Sequence, residues 1–338
     1  MIRVLAAGVV AMVVSILVGP RFIAFLRRNE FGQHIREELP ERHGGKQGTP
    51  TMGGLLILVV ATVAFLSVSK YKVPALTVLF VTLGCGAVGF LDDFIKLTHR
   101  RSLGLRGRWK LVLLALITVG VAFAARHQHL PTTVFIPVVH WNVQLSYGWY
   151  FMLFLVIAGS ANGVNLADGL DGLAAGTGII SLVTFTAIAV VTYIRSGNPG
   201  GRFDSRLDLA IVGAALIGAT VGFLWYNAFP AEVIMGDTGA MAIGGALAAL
   251  AIFTKTIFLL LLIGGIFAIE ALSVIIQVVA FRCYGRRVFL MAPIHYHFEM
   301  KAWSETKIMV RFWIVGAILC AIGFALFYRD FRGFVPGP

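Results

Sequence analysis

Ten apolar runs, each close to the length that carries an α-helix across a bilayer, leave this chain few folds to choose from. About 20 apolar residues span the hydrocarbon core, and in lipid every backbone N–H and C=O must find its partner inside the segment, which a helix provides. The runs are Val4–Leu26, Met52–Ser69, Pro74–Leu91, Trp109–Ala125, Trp149–Asn165, Leu173–Ile194, Leu209–Ala228, Gly239–Thr254, Thr256–Phe281 and Ile308–Tyr328, with the eighth and ninth parted by little more than Lys255. Composition agrees: of 338 residues 58% are hydrophobic and 13% charged, against about 25% charged in ordinary soluble domains. A soluble fold cannot hide that much apolar surface. The expected class is an all-α, polytopic integral membrane protein of about ten transmembrane helices, one domain over residues 1–338. The first run, with no A-x-A-type cleavage site before Pro20-Arg21, reads as a retained helix. Between the fourth and fifth runs, residues 126–148 carry Pro131, Pro137 and alternating Val/Ile, and predict a short external hairpin.

The net charge of +12 would suit a nucleic-acid binder only if Lys and Arg clustered on a soluble face. They are sorted along the chain instead. The loops after spans one, three and nine hold 5, 6 and 5 of them, 16 in all, and the opposite side holds 10. By the positive-inside rule the loops 27–51, 92–108, 166–172, 229–238 and 282–307 face the cytoplasm and both termini lie outside. Nucleic acid is not an expected partner.

The acids are distributed more tellingly. Of 16 Asp and Glu, 12 fall on the inferred cytoplasmic side. Five aspartates stand at span ends or in nearly uncharged loops: Asp92 and Asp93 in Gly-Phe-Leu-Asp-Asp-Phe, Asp168 and Asp171 in Asn-Gly-Val-Asn-Leu-Ala-Asp-Gly-Leu-Asp-Gly, and Asp237 in Met-Gly-Asp-Thr-Gly. Any one of them reads equally well as a helix cap. Three distant segments that bring carboxylates to one membrane level read as a site. Such a set suits Mg²⁺, which binds through a few carboxylates together with substrate phosphates. A diphosphate in turn needs a cation among so many carboxylates. The spacing of three sets Asn162, Asn165 and Asp168 on one flank of a helix end.

Basic and titratable side chains complete the pattern. Lys46 precedes Gly-Thr-Pro-Thr-Met-Gly-Gly, which carries Thr51, and Lys96 follows Asp92 by four residues, on the same helical face. Lys96 also fits an ordinary place in a basic cytoplasmic loop. His295 and His297 bracket Tyr296 in Ala-Pro-Ile-His-Tyr-His-Phe-Glu, and no further ligand completes a zinc set. Phosphate contact or proton transfer fits them better. Glu270, alone inside the ninth span, reads as a polar contact buried within the bundle in preference to a proton site. Cys85, Cys283 and Cys320 are widely spaced and predict neither disulfides nor a zinc centre.

Taken in order, these motifs resemble the polyprenyl-phosphate N-acetylhexosamine-1-phosphate transferase superfamily, and within it the peptidoglycan branch, the phospho-N-acetylmuramoyl-pentapeptide transferases. The resemblance runs from Gly32-Gln-His-Ile-Arg36 to the His295-Tyr-His297 segment, nearly the whole chain. It implies a cytoplasmic Mg²⁺ site in the bacterial inner membrane and a homodimer. The implied reaction moves phospho-MurNAc-pentapeptide from UDP-MurNAc-pentapeptide to undecaprenyl phosphate in the membrane, yielding lipid I and UMP. Carried over, Asp237 would be the metal ligand, and Asp92 and Asp93 would flank the reacting phosphates. Asn162, Asn165, Asp168 and Asp171 would hold the uridine diphosphate part with Lys46, Thr51 and Lys96 close by, and His295 and His297 would contact phosphates or sugar. Two positions depart from the family pattern: Tyr296 replaces a middle histidine, and Ile234 replaces an aromatic two residues before Gly-Asp. The alternatives are a sister transferase taking UDP-GlcNAc and, from another class, a secondary transporter. Transporters keep their acids near the midplane of broken repeats, where this chain places only Glu270.

Overall fold

The computed structural model describes residues 1–29, 48–99, 104–196 and 204–330. Twelve α-helices and one hairpin follow in the order α1 (Ile2–Arg28), α2 (Gly54–Val68), α3 (Val73–Thr98), α4 (Gly107–His127), β1 (Thr133–Ile136), β2 (Trp141–Gln144), α5 (Gly148–Ala167), α6 (Leu173–Arg195), α7 (Asp204–Asn227), α8 (Gly236–Phe253), α9 (Leu260–Ile263), α10 (Gly265–Tyr284), α11 (Ile294–Met300) and α12 (Glu305–Asp330). Nine of the described helices are long and apolar enough to cross a membrane, and α2 is a shorter apolar tenth. The molecule is an all-α polytopic membrane protein. Its 15-residue α2 rises about 22 Å, so the loop before it must enter the bundle, and that loop belongs to the site described below.

Burial sorts the helices into layers. Along the apolar stretch of α8 94% of the residues are buried and along that of α7 83%, against 28% in α1, α4, α10 and α12. Those outer helices turn Leu5, Leu116, Phe123, Leu272 and Ile318 outward, as lipid-facing surfaces require. The sequence of α8, Gly-Asp-Thr-Gly-Ala-Met-Ala-Ile-Gly-Gly-Ala-Leu-Ala-Ala-Leu-Ala-Ile-Phe, shows why it is central. Small residues let neighbouring backbones approach closely: a Cβ on Gly244 would lie 2.4 Å from the Ser160 carbonyl oxygen of α5, and one on Gly245 2.7 Å from Cys85 Sγ of α3.

The ninth run, expected as one helix over Thr256–Phe281, is broken. After α8 the chain reverses through Lys255, at φ 58°, forms a 3₁₀ turn at Ile257–Leu259, and breaks again at Gly264 between α9 and α10. A broken helix in the membrane survives only where other groups take up the freed backbone. Here Ser181 Oγ of α6 donates to the Ile263 carbonyl at 2.7 Å, and Cys320 Sγ of α12 donates to the same oxygen at 3.3 Å. The hairpin expected within residues 126–148 is present, antiparallel, with Val134 opposite Val143.

The bundle has two distinct ends. At one, Asp208 accepts from the backbone N–H groups of Lys70 and Lys72 and from Ser69 Oγ, while Asp330 at the end of α12 accepts from Val138 N–H of the hairpin. Helix α1 runs parallel to α7, with Gly8 against Ala214 and Tyr226 donating to the Ile16 carbonyl. The start of α1 and the end of α12 therefore share this end. The aspartates of the candidate site occupy the other.

Candidate active site

The site is assembled by two loops that pair like short strands. Gly53 N–H donates to the Ile234 carbonyl, Gly54 N–H to that of Met235, and Ile234 N–H to that of Pro50, at 2.8–2.9 Å. This ladder brings Thr51 beside Gly236, whose φ of 74° turns the chain into α8. The helices meet with nothing to spare. A Cβ on Gly54 would lie 2.1 Å from the Gly239 nitrogen, and one on Gly89 2.2 Å from the Asp237 carbonyl oxygen. With α2 and α3 pressed against the first turn of α8, the last turns of α3 deliver Asp92, Asp93 and Lys96 to Asp237.

Asp92, Asp93 and Asp237 each offer a carboxylate oxygen within 4.8 Å of the others. Two ammonium groups bind them together. Lys96 Nζ is 2.6 Å from Asp92 and 3.0 Å from Asp237, and Lys110 Nζ is 3.1 Å from Asp92 and 2.8 Å from Asp237. Asp92 also accepts from Leu105 N–H at 2.7 Å, against Gly104, where a Cβ would lie 2.4 Å from the carboxylate. Asp93 is committed differently: it accepts from the N–H groups of Asp237 and Thr238 and from Thr238 Oγ1. It caps the positive end of α8 from a neighbouring helix and thereby fixes where Asp237 points.

The Asn/Asp loop after α5 approaches from the other side. Asp168 is half-buried, with Gly236 N–H donating to it. Lost solvation, then the negative charges of Asp237 and Asp93, push its carboxyl well above the ordinary range. Asp171, expected to hold substrate, accepts from Ala231 N–H at 3.1 Å, and Gly172 N–H donates to Asn227 Oδ1. These two bonds fasten the loop to the segment before α8. Asn162 spends its amide on the Ala158 carbonyl one turn back, whereas the Asn165 amide nitrogen is buried with no hydrogen-bond partner. His295 and His297 do not converge. Two residues apart on α11 they point about 160° from each other. His295 is fully buried 3.1 Å from Glu270, and His297 accepts from Leu290 N–H. Glu270 is a buried polar contact, as the sequence indicates. Lys46 lies outside the described residues.

Comparison with known proteins decides what the cluster belongs to. The profile described as Glycosyl transferase family 4 matches residues 75–255, and phospho-N-acetylmuramoyl-pentapeptide-transferase signature 1 matches residues 46–58. A phospho-N-acetylmuramoyl-pentapeptide-transferase of Desulforudis audaxviator is 47% identical over 341 residues, covering 96% of this chain and 98% of the relative. The protein of the same name from Rubrobacter xylanophilus is 45% identical over 335 residues, with 97% and 98% covered. The chain belongs to the phospho-N-acetylmuramoyl-pentapeptide transferases. Residues 75–255 contain all of the transferase's clustered aspartates and both of the lysines that bind them.

Sequence reasoning passed over Lys110, counting it among six basic residues of one loop. Its signal was position: of the six it alone falls inside the fourth apolar run, one residue after Trp109. Thr238 was also passed over, although the residue after an N-terminal aspartate of a helix is well placed to answer a second carboxylate. The transferase's donor set fits Mg²⁺. Three carboxylates converge, hard oxygen donors that this ion prefers, and the two ammonium groups now held between them mark a place that stabilises positive charge.

Proposed function

We propose that this transferase moves phospho-MurNAc-pentapeptide from UDP-MurNAc-pentapeptide to undecaprenyl phosphate, releasing UMP and forming lipid I, at the cytoplasmic face of the bacterial inner membrane. The observation that carries the reading is the meeting of Asp92, Asp237, Lys96 and Lys110 within about one ion-pair distance. Both substrates are phosphates, so the protein's task is positioning and charge neutralisation. Asp237 and Asp92 would hold Mg²⁺, which supplies Lewis-acid charge to the phosphate oxygens when bound.

The side chains then divide the work. Lys96 and Lys110 bear on carboxylates now and turn to phosphate oxygens as these arrive. Asp93 holds the start of α8, and Thr51 and Asp168 border Gly236, whose turn aims Asp237. Asn165, with its buried and unanswered amide near the end of α5, is placed to donate to the uridine diphosphate part, with Asn162 one turn back on the same helix and Asp171 fastening the loop that follows. We infer direct attack by the lipid phosphate. Its second pKa is about 6, so it arrives largely ionised and needs little from a base. Asp92, held by two ammonium groups and a backbone N–H, is poorly disposed to attack phosphorus.

The test is to supply the folded protein with each labelled sugar nucleotide. UDP-MurNAc-pentapeptide with undecaprenyl phosphate yields UMP and a lipid product, and UDP-GlcNAc does not. Product from UDP-GlcNAc alone would move the assignment to the sister reaction. A burst of UMP equal to enzyme, without lipid acceptor, would replace direct attack by a covalent intermediate.

A further inference from the structure

Glu270 and His295 form a pair that the transfer reaction, as drawn above, does not use. Both are 0% exposed, and Glu270 Oε1 lies 3.1 Å from His295 Nδ1. The other ring nitrogen, Nε2, is buried and has no partner. It faces the loop after α5: a Cβ on Gly169 would lie 2.3 Å from Nε2 and 2.8 Å from the Tyr296 hydroxyl. Only glycine fits there, next to Asp168 and opposite two polar side chains of α11. Glu270 thus reaches that loop through a single imidazole.

Burial constrains the proton count of the pair. An ionised carboxylate beside a neutral imidazole would leave an uncompensated negative charge in a site without solvent, which burial disfavours. One added proton removes it. That proton makes either a carboxylate–imidazolium pair or a carboxylic acid bonded to a neutral imidazole. These two forms differ only in which side of the Oε1···Nδ1 contact holds the bridging hydrogen. In both, Nε2 carries a hydrogen; only a proton held on Glu270 Oε2, itself buried with no partner, would leave Nε2 bare. The acidic neighbours act the same way: Glu299, buried one helical turn beyond His295, and Asp168 beside Gly169. Tyr296 contributes a neutral phenol, and the α12 cations Lys307 and Arg311 lie over the Trp303 ring at 4.9 and 4.3 Å.

We propose that Glu270 is a positioning residue that keeps His295 Nε2 protonated and aimed at the Gly169 loop, so that His295 meets the substrate as a hydrogen-bond donor. The group it would recognise is an acceptor oxygen of the bound sugar nucleotide, a phosphate oxygen or an amide carbonyl. His295 is then not a general base in the resting enzyme. The substrate's identity rests on the proposed transferase reading; the protonation of Nε2 does not.

Nitrogen NMR of the full chain in nanodiscs, with ¹⁵N-histidine and His295→Asn for assignment, reads the protonation directly. The expected result is a protonated Nε2 at neutral pH in the wild type. In Glu270→Leu, which leaves an apolar residue in an apolar helix, the ring loses the bridging proton and its Nδ1 partner. The one remaining hydrogen is free to sit on either nitrogen, and kcat/KM falls about tenfold or more as the aim of Nε2 is lost. His295→Asn added to Glu270→Leu lowers it little further. An unprotonated Nε2 in active wild-type enzyme, or wild-type kcat/KM in a Glu270→Leu protein of unchanged melting temperature, overturns the proposal. No turnover by wild type with both substrates overturns the transferase reading instead and leaves the NMR result standing.

Discussion

Lys110 is the clearest case of one side chain whose removal separates chemistry from folding. Its ammonium joins α4 to carboxylates of α3 and α8 at 3.1 and 2.8 Å. Lys110→Met preserves the stem and deletes the charge. Turnover should fall about 100-fold, the usual cost of one preorganised electrostatic contact, with helicity unchanged by circular dichroism; full activity would remove Lys110 from the centre. His297 gives a pH prediction. Lost solvation, and then the Lys301 ammonium, hold its imidazole below the ordinary range. The Leu290 N–H donated to Nδ1 acts in the same sense, since protonating Nδ1 removes its acceptor. The folded state therefore prefers the neutral ring. The stability this contributes is present above the unfolded-state pKa of about 6.5 and is lost as pH falls through the lower folded value. An NMR titration of His297 should give a midpoint below about 6.5.

At the level of elements, the contact between α2 and α8 is the tightest that positions the site. Gly54→Ala places a methyl 2.1 Å from the Gly239 nitrogen, with backbone on both sides and no flexible side chain to move. It should cost about 1–3 kcal/mol or more, seen as a lower melting temperature, together with loss of activity as the Gly53–Ile234 ladder shifts. Asp93→Asn tests the other brace: it weakens the anchoring of the α8 N-terminus and should lower kcat without abolishing metal binding. Much of this was legible in the sequence. Nine of the ten apolar runs became single helices because burial of backbone polar groups in lipid leaves no other choice. The aspartates that converge were those standing at the ends of apolar runs, Asp92 and Asp93 closing the third and Asp237 just ahead of the eighth. What escaped was long-range. The break at Gly264 depends on Ser181 and Cys320, donors 82 and 57 residues away. Lys110 depends on a helix 127 residues away, and the parting of His295 from His297 depends on where α11 lies.

Over the whole molecule, charge and geometry point the same way. The end that carries Asp92 and Asp237 is the end at which α1, α3 and α10 finish, and the hairpin, the start of α1 and the end of α12 lie at the other. Cys283, exposed near the end of α10, reports on this, because Cys85 and Cys320 are buried. A membrane-impermeant maleimide should label Cys283 in inverted vesicles and not in intact spheroplasts. Reversal of that pattern would turn the site outward. The metal is tested by chelation, which should stop turnover until Mg²⁺ is restored. The account stands most directly on one comparison: UMP formed in a single turnover from UDP-MurNAc-pentapeptide and undecaprenyl phosphate, by wild type and by Asp237→Asn in matched nanodiscs. It predicts UMP from the wild type only when both substrates are present, and none from Asp237→Asn at an unchanged melting temperature. UMP formed by Asp237→Asn at near the wild-type rate would contradict it.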